Sequence, residues 1–469
     1  MLGVKNTLST KIEELAPAEG DTLQMYVCGI TPYDSSHLGH ARTFCSFDIM
    51  RRWMQFGHKM KINFIQNVTD VDDKIIKRAQ ERGMAPLKLS DMYDKQCREE
   101  MKMLNILPPT HMPKISGHMP QTIAMIEKLI KNGIAYTTDT GVYYEVSKFP
   151  GYGKLSRQDP EGIRAGARIE IDEKKKNPAD FALWKFEESE GCTWDSPWGR
   201  GRPGWHIECS AMSMHYTGGK PLDLHCGARD LIFPHHENEI AQGEGAGYKP
   251  FSRMWMHTGF LTVSGEKMSK SLGNFITVAQ ALKEWGDANI LRLFFAQSHY
   301  SSPVDYSPKA LEAAKNTLEN VKRSLSIMQG EGENSNKDEE HTLTDSINSH
   351  LGKFSSSMDN DFDTPTALSE LVLASKDIAK ARAENKVSRE VLQAQAQRIA
   401  SELEIFGIEI SGEKEGDKMD ERKIKELIEE RENARQNRDF KRSDEMRKLL
   451  AGKGVLVEDS KDGVKWRYA

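Results

Sequence analysis

The stretch MYVCGITPYDSSHLGHARTF, residues 25–44, carries an apolar run into a polar turn and then into a helix. Met25 to Gly29 suits a short buried strand, Thr31-Pro32-Tyr33-Asp34 a turn, and about His40 to Gln55 a helix. A second run, Lys61 to Asn67, predicts another strand. Thr69 or Asp70 is placed to cap the next helix, whose Val71, Ile75 and Ile76 share a face and which Gly83 ends. Strand, helix, strand, helix in this order predicts an α/β fold with a Rossmann-like parallel sheet. Ligands of such sheets lie beyond the carboxyl ends of the strands.

At 469 residues the chain exceeds what one hydrophobic core serves, so roughly two to four domains are expected. With 38% hydrophobic and 29% charged residues it has enough apolar content to fold rather than stay disordered. The N-terminus lacks the apolar core of a signal peptide, and no apolar run reaches the roughly 18 residues of a membrane span. A cytoplasmic protein without a membrane partner is expected. Cys28, Cys45, Cys97, Cys192, Cys209 and Cys226 are scattered. In a reducing compartment metal ligation is a better special use for them than disulfides. A formal net charge of −5 excludes wholesale attraction to nucleic acid, so an RNA partner must meet local basic patches such as Lys174 to Lys176 or Arg435 to Arg447.

Between Pro108 and about Pro203 short strands and Gly/Pro turns follow an amphipathic helix, Pro120 to Asn132, which reads as an insertion in the sheet domain. Leu222 to His225 and Trp255 to His257 read as returning strands with a helix, Phe233 to Gln242, between them. From Ser307 the chain is helical. Leu311, Ala314, Leu318, Val321 and Leu325 form one stripe, and Val391, Ile399, Leu403 and Phe406 another, which predicts a helical bundle. Gly330 to Glu340 and Ser411 to Lys418 read as linkers. A small terminal module follows, with a helix around Ile424 to Ile428, another from Phe440 to Leu450, and a hairpin from Val455 to Trp466 that turns at Asp462-Gly463.

Three constellations carry chemistry. In His37-Leu38-Gly39-His40 two imidazoles three residues apart can face one ligand. The glycine lets backbone approach it, and the helix start favours phosphate. Lys267-Met268-Ser269-Lys270-Ser271, between Gly265 and Gly273, supplies two ammonium groups suited to a triphosphate. His235 and Glu239 lie four apart on a helix and thus on one face, and Cys28 and Cys209 would complete a tetrahedral zinc site. His206, His225, Cys226 and His236 compete for the same roles. His236 should point about 100° away from His235, off the face of Glu239, and suits the shell around the metal or the substrate pocket.

HLGH early and KMSKS late are together the paired signatures of class I aminoacyl-tRNA synthetases. With MYVCGIT, NVTDVDDK, GRPGWHIECSAM and FPHHENEIAQ, the sequence resembles the cysteinyl-tRNA synthetase family over essentially its whole length. The resemblance implies a ligase that activates L-cysteine with ATP and passes it to tRNA(Cys). It implies one zinc ion per chain on Cys28, Cys209, His235 and Glu239, magnesium with ATP, and a monomer. Catalytic roles fall on His37, His40, Lys267 and Lys270, with Gly39, His40 and Lys270 at ATP. Cysteine contacts fall on Gly29, Thr69, Trp205 and Asp230, and tRNA contacts on Arg435, Phe440 and Asp459. The corresponding layout is a catalytic domain over 1–107 and 204–306 split by an insertion over 108–203. A tRNA-binding bundle over 307–410 and an anticodon module over 420–469 complete it. Leu38 stands where many class I enzymes have isoleucine, a volume-conserving change, and Phe440 where some relatives carry tryptophan.

Overall fold

The computed structural model describes residues 1–158, 174–187, 191–268, 273–327, 331–332, 334–410, 421–437, 439–452, 455–460 and 463–468. The chain divides into two compact units, Met1–Leu311 with Ser357–Thr364, and Glu312–Ser356 with Pro365–Ala469.

The first unit opens with a small antiparallel pair, β1 (Gly3–Lys5) and β2 (Ile12–Glu14). β3 (Thr22–Ile30) then leads into α1 (Leu38–Arg52), β4 (Lys61–Val68), α2 (Asp73–Arg82), α3 (Pro86–Met103) and α4 (Met119–Lys131). An antiparallel sheet follows, β5 (Ala135–Thr137), β6 (Gly141–Tyr144), β7 (Phe181–Phe186) and β8 (Gly201–Pro203), which occupies the region read as an insertion. The chain returns through α5 (Trp205–Tyr216), β9 (Leu222–Ala228), α6 (Glu237–Gly245) and β10 (Ser252–Thr258). β10, β9, β3 and β4 form, in that order, one parallel sheet. From β3 the chain moves outward to β4, and from β9 outward to β10 on the other side. The carboxyl ends of β3 and β9 therefore flank the point where the strand order reverses, which is where such sheets bind ligands.

β11 (Leu261–Val263), β12 (Glu266–Lys267), α7 (Val278–Trp285), α8 (Ala288–Ala296) and β13 (Val304–Tyr306) complete this unit. β12 turns back on β11, which lies parallel to β13. The fully buried Arg42 of α1 reaches the end of α8 and the loop after it, donating to the carbonyls of Phe295 at 2.6 Å, His299 at 2.9 Å and Ser302 at 3.3 Å. Six residues further along α1, Asp48 accepts from Arg52 Nε at 2.8 Å and Arg292 Nη2 at 2.5 Å, all three side chains being buried.

Four expectations need correction. Asp72, not Thr69 or Asp70, caps α2, its carboxylate accepting from the Lys74 amide at 2.8 Å. The two expected caps are engaged elsewhere: the Thr69 amide donates to the Ile30 carbonyl, and Asp70 accepts from the Ser116 amide. Regular helix begins at Glu237 rather than Phe233, which is extended at φ −136° and ψ 133° because the proline after it disfavours helical backbone. The reading of 330–340 as linker ends at Asn336, whose side chain accepts from the Asp338 amide as α10 (Lys337–Asp359) begins. Asp338, Glu339 and Glu340 fall in its first turn, where the helix dipole favours them. The remaining correction is in α12: Leu392 takes the buried place assigned to Val391.

The second unit holds most of α9 (Pro308–Leu325) and α10, then α11 (Thr364–Glu384) and α12 (Arg389–Leu403). Leu311, Ala314, Leu318, Val321 and Leu325 are all buried, as are Ile399, Leu403 and Phe406. Last come α13 (Glu421–Gln436), α14 (Phe440–Gly452) and the hairpin of β14 (Val455–Ser460) and β15 (Gly463–Tyr468), around a core of Ile424, Leu450, Val455, Val457 and Trp466. The second linker and Asp462 of the hairpin turn lie outside the described residues. Among the described residues no helix is long and apolar enough to cross a membrane.

Candidate active site and metal centre

Four elements meet where the strand order reverses. Cys28 comes from the end of β3, Cys209 from the second turn of α5, His235 from the turn Ile232–His236, and Glu239 from the first turn of α6. Their ligand atoms all lie within 4.8 Å of one another, and all four residues are buried. His235 Nε2 stands 2.9 Å from Glu239 Oε1, and Cys28 Sγ 3.7 Å from the same oxygen. Two thiols, an imidazole and a carboxylate in a tetrahedron-sized cage are the donor set zinc takes.

The charges inside this cage are unequal. Burial, then the contact with Cys209, pushes the Cys28 thiol well up. Burial opposes ionisation of Cys209 too, but the Cys28 hydrogen bond and His235 outweigh it and bring Cys209 down to about 6. Against the same burial, Glu239 and Cys209 raise His235 to about 10, while His225 and His235 hold Glu239 down to about 2. The protons of this buried donor set are thus unevenly shared, and a metal ion would have to displace those on Cys28 and His235 to use all four lone pairs.

Further histidines surround the four. His225 Nε2 meets Glu239 Oε2 at 2.7 Å, and His206 Nδ1 meets His235 Nδ1 at 2.9 Å. His236 Nε2 reaches Cys28 Sγ at 3.3 Å, and its Nδ1 meets His257 Nε2 at 2.8 Å. The expectation that His236 stays off the face of Glu239 is overturned, its Nε2 being 4.0 Å from Glu239 Oε1. His235 and His236 precede the first residue of α6, so a regular helical wheel does not fix their directions, and both rings turn towards Glu239. His257, missed in the sequence, is signalled by its place near the end of β10, level with the other strand ends.

Beside this centre, the Gly29 amide donates to Asn67 Oδ1 at 2.9 Å, so close to β4 that an added Cβ would lie 1.7 Å from the Asn67 carbonyl oxygen. Thr69 is buried and accepts from Asn67 Nδ2 at 3.1 Å. Trp205, at the start of α5, is 38% exposed and stacks on His235 with centroids 4.7 Å apart. An aromatic left this open over His235 is not core packing. Asp230 is exposed in the turn Arg229–Leu231 directly beyond β9.

His37 caps α1 and stacks on His40, with centroids 3.7 Å apart and each ring facing the other's backbone amide at 3.4 Å. Desolvation, then His37 and Lys74, hold His40 well below the ordinary imidazole range, so it stays neutral near pH 7. A Cβ on Gly39 would come within 3.6 Å of Met268 Cε, which places that methionine over the helix start. Lys267 ends β12, and Lys270 lies outside the described residues. After that stretch, the Leu38 amide donates to Ile276 at 3.1 Å and the Val278 amide to Ser36 at 2.9 Å, with His37 and Thr277 bridged. In the second unit, Arg435 of α13 lies 3.7 Å from Glu432, Phe440 opens α14 at 65% exposure, and Asp459 of β14 pairs with Val464.

The family model of the class I (C) tRNA synthetase catalytic domain matches residues 14–316, that of the DALR domain 353–411, and that of the cysteinyl-tRNA ligase anticodon binding domain 421–467. The chain is similar to the cysteine–tRNA ligase of Methanococcus maripaludis, 45% identical over 98% of both chains. It is also similar to that of Geobacter sulfurreducens, 41% identical over 99% of both. Among solved structures, it resembles Mycobacterium tuberculosis methionyl-tRNA synthetase in complex with methionyl-adenylate at TM-score 0.59 and 17% identity, over 83% of this chain and 90% of that one. A leucyl-tRNA synthetase ternary complex from Agrobacterium radiobacter gives 0.61 at 12% identity, over 85% of both. At such identities these two speak for the fold alone.

Proposed function

We propose, from the premise that this chain belongs to the cysteinyl-tRNA ligase family of class I tRNA synthetases, that Cys28, Cys209, His235 and Glu239 hold one zinc ion per chain against the cysteine side chain. The reaction itself is the ATP-dependent ligation of cysteine to tRNA. The observation that carries the proposal is the convergence of these four ligand atoms, from four separate elements, within 4.8 Å.

Serine differs from cysteine only by oxygen for sulfur, and a pocket of ordinary contacts separates such near-isosteres poorly. A discrimination of roughly 10⁴, about 5.5 kcal/mol, needs another source. When bound, zinc supplies a thiophilic Lewis acid that takes up the substrate's thiolate and gains no comparable bond from a neutral hydroxyl. Around it this chain supplies the rest of the pocket. Trp205 forms one wall, the Gly29 backbone and Thr69 line another, and Asp230 offers a carboxylate to the α-ammonium.

The substrate carboxylate then attacks the α-phosphate of magnesium-bound ATP, forming a P–O bond as pyrophosphate leaves. His37 and His40, with Gly39 between them at the start of α1, face the phosphates, and His40 acts as a neutral hydrogen-bond donor. Lys267 and Lys270 stabilise charge on the departing pyrophosphate. In the second step the 2′-hydroxyl of the terminal adenosine of tRNA(Cys) attacks the adenylate and AMP leaves. We assign catalysis to 1–107 and 204–306, split by the 108–203 insertion, tRNA-stem contact to 307–410, and anticodon reading to 420–469 through Arg435, Phe440 and Asp459. The protein is read as a cytoplasmic monomer.

Cys28→Ser tests the reading. Zinc content and cysteine-dependent ATP–pyrophosphate exchange should fall together, and a variant that keeps both would move the metal elsewhere.

A further inference from the structure

The centre contains more donors than one ion uses. Resting on the metal reading above, we propose that it offers two overlapping seats for a single divalent transition cation. Both seats use Cys28 and Glu239; Cys209 and His235 complete the first, His225 and His236 the second.

Three observations carry this. The ligand atoms of the second set also lie within 4.8 Å of one another, and its four residues are all buried. The two oxygens of Glu239 face different imidazoles, Oε1 that of His235 at 2.9 Å in the first seat and Oε2 that of His225 at 2.7 Å in the second. A rotation-free carboxylate therefore addresses either seat without leaving its place. Finally, His236 is aimed from behind: its Nδ1 meets His257 Nε2 at 2.8 Å, and His257 Nδ1 meets Thr7 Oγ1 at 2.9 Å. Such a chain fixes the ring, and in the tautomer where His257 Nδ1 donates to Thr7 Oγ1 it leaves the lone pair on the His236 Nε2 that faces Cys28. This is the support metal-binding imidazoles receive from their surroundings.

The seats differ in softness. Two thiols against one make the first the better place for zinc in the intact chain, while one thiol, two imidazoles and a carboxylate still suit zinc or cobalt. The second also lies off the side where Trp205 stacks on His235. When Cys209 is lost the ion should move into the second seat rather than leave the protein, and an ion there is out of place for the substrate.

Cobalt(II) reads the outcome, because its thiolate charge-transfer band reports the number of bound sulfurs. Cys209→Ser should bind one cobalt per chain with a weakened, single-thiolate band and lose cysteine-dependent exchange. Cys209→Ser combined with His225→Gln or His236→Gln should lose the metal. The same glutamine substitutions in the otherwise intact chain should keep cobalt with the full two-thiolate band. A Cys209→Ser protein without metal, or one whose cobalt ignores both glutamines, overturns the second seat. Far-UV circular dichroism accompanies each variant, and His235→Asn, which opens the same side of the first seat, replaces Cys209→Ser if the latter does not fold. Failure of the underlying metal reading looks different: the unaltered chain would then take up no stoichiometric cobalt.

Discussion

Gly29→Ala should disable cysteine activation while leaving the protein folded. The new Cβ would stand 1.7 Å from the Asn67 carbonyl oxygen, against the 3.0 Å that real Cβ atoms keep, so β3 and β4 must part there by at least 1.3 Å. Both contacting atoms are backbone, which cannot swing aside as a side chain would. Cys28 is the preceding residue, and the register of β3 on β4 already shifts between Val27 and Ile30, so the displacement falls on the proposed metal ligand and the pocket edge. A misplacement of about 1 Å in a positioned site costs about 10²-fold, or about 2.7 kcal/mol of transition-state stabilisation. Pyrophosphate exchange should thus show kcat/KM for cysteine reduced about 100-fold, with a steric cost of about 1–3 kcal/mol in urea unfolding. Gly83→Ala is the control: at φ +61° with open space around it, it should cost about 1 kcal/mol of stability and leave exchange intact. If Gly29→Ala exchanges within about threefold of the unaltered chain, the close approach of Gly29 to β4 does not position the site.

Three other expectations are open to test. Asp48→Asn removes the carboxylate between the buried guanidiniums of Arg52 and Arg292, and the first urea transition should lose about 3–5 kcal/mol, whereas a loss below about 1 would mean water reaches them. Burial, then His225 and Arg229, holds His257 down to about 3. Its folded value lies below the unfolded one of about 6.5, so stability present above pH 6.5 is lost as pH falls, by about 1.4 kcal/mol per unit from this group. Urea midpoints between pH 7.5 and 5 should fall more steeply for the unaltered chain than for His257→Gln, and parallel curves would contradict that. Phe440→Ala removes a side chain that is 65% exposed, so stability should stay within about 0.5 kcal/mol. Transfer to tRNA should weaken by about 1–3 kcal/mol if the ring stacks on a base, with exchange unchanged, and unaltered charging would remove Phe440 from the interface.

The parallel sheet was legible because strand and helix periods alternate cleanly from Met25 to Gly83, and the helical stripes of α9 because their spacing is unbroken. The helix containing Glu239 was legible only in part, since one proline at position 234 decides where it starts. Thr69 had the chemistry of a cap, but its amide is tied back to the Ile30 carbonyl at the end of β3, and the helix starts only after Asp72. In the candidate metal cluster, His235 and Glu239 were legible from their spacing of four, but preferring Cys28 and Cys209 over His206, His225, Cys226 and His236 needed the resemblance, because the set is spread from position 28 to 239. His236 was misjudged by treating one angle as an exclusion. It precedes the first residue of α6, where distances rather than helical wheels decide.

On either side of residues 269–272 the described chain is held by backbone pairing. Upstream, β12 is paired to β11, which rides on β13 and, through the carbonyls that Arg42 collects, on α1. Downstream, Ile276 and Val278 are tied to Ser36 and Leu38 at the mouth of that same helix. A peptide bond cut between these two moorings would sever the covalent chain without releasing either side. The two fragments, expressed separately, should therefore find each other through α1.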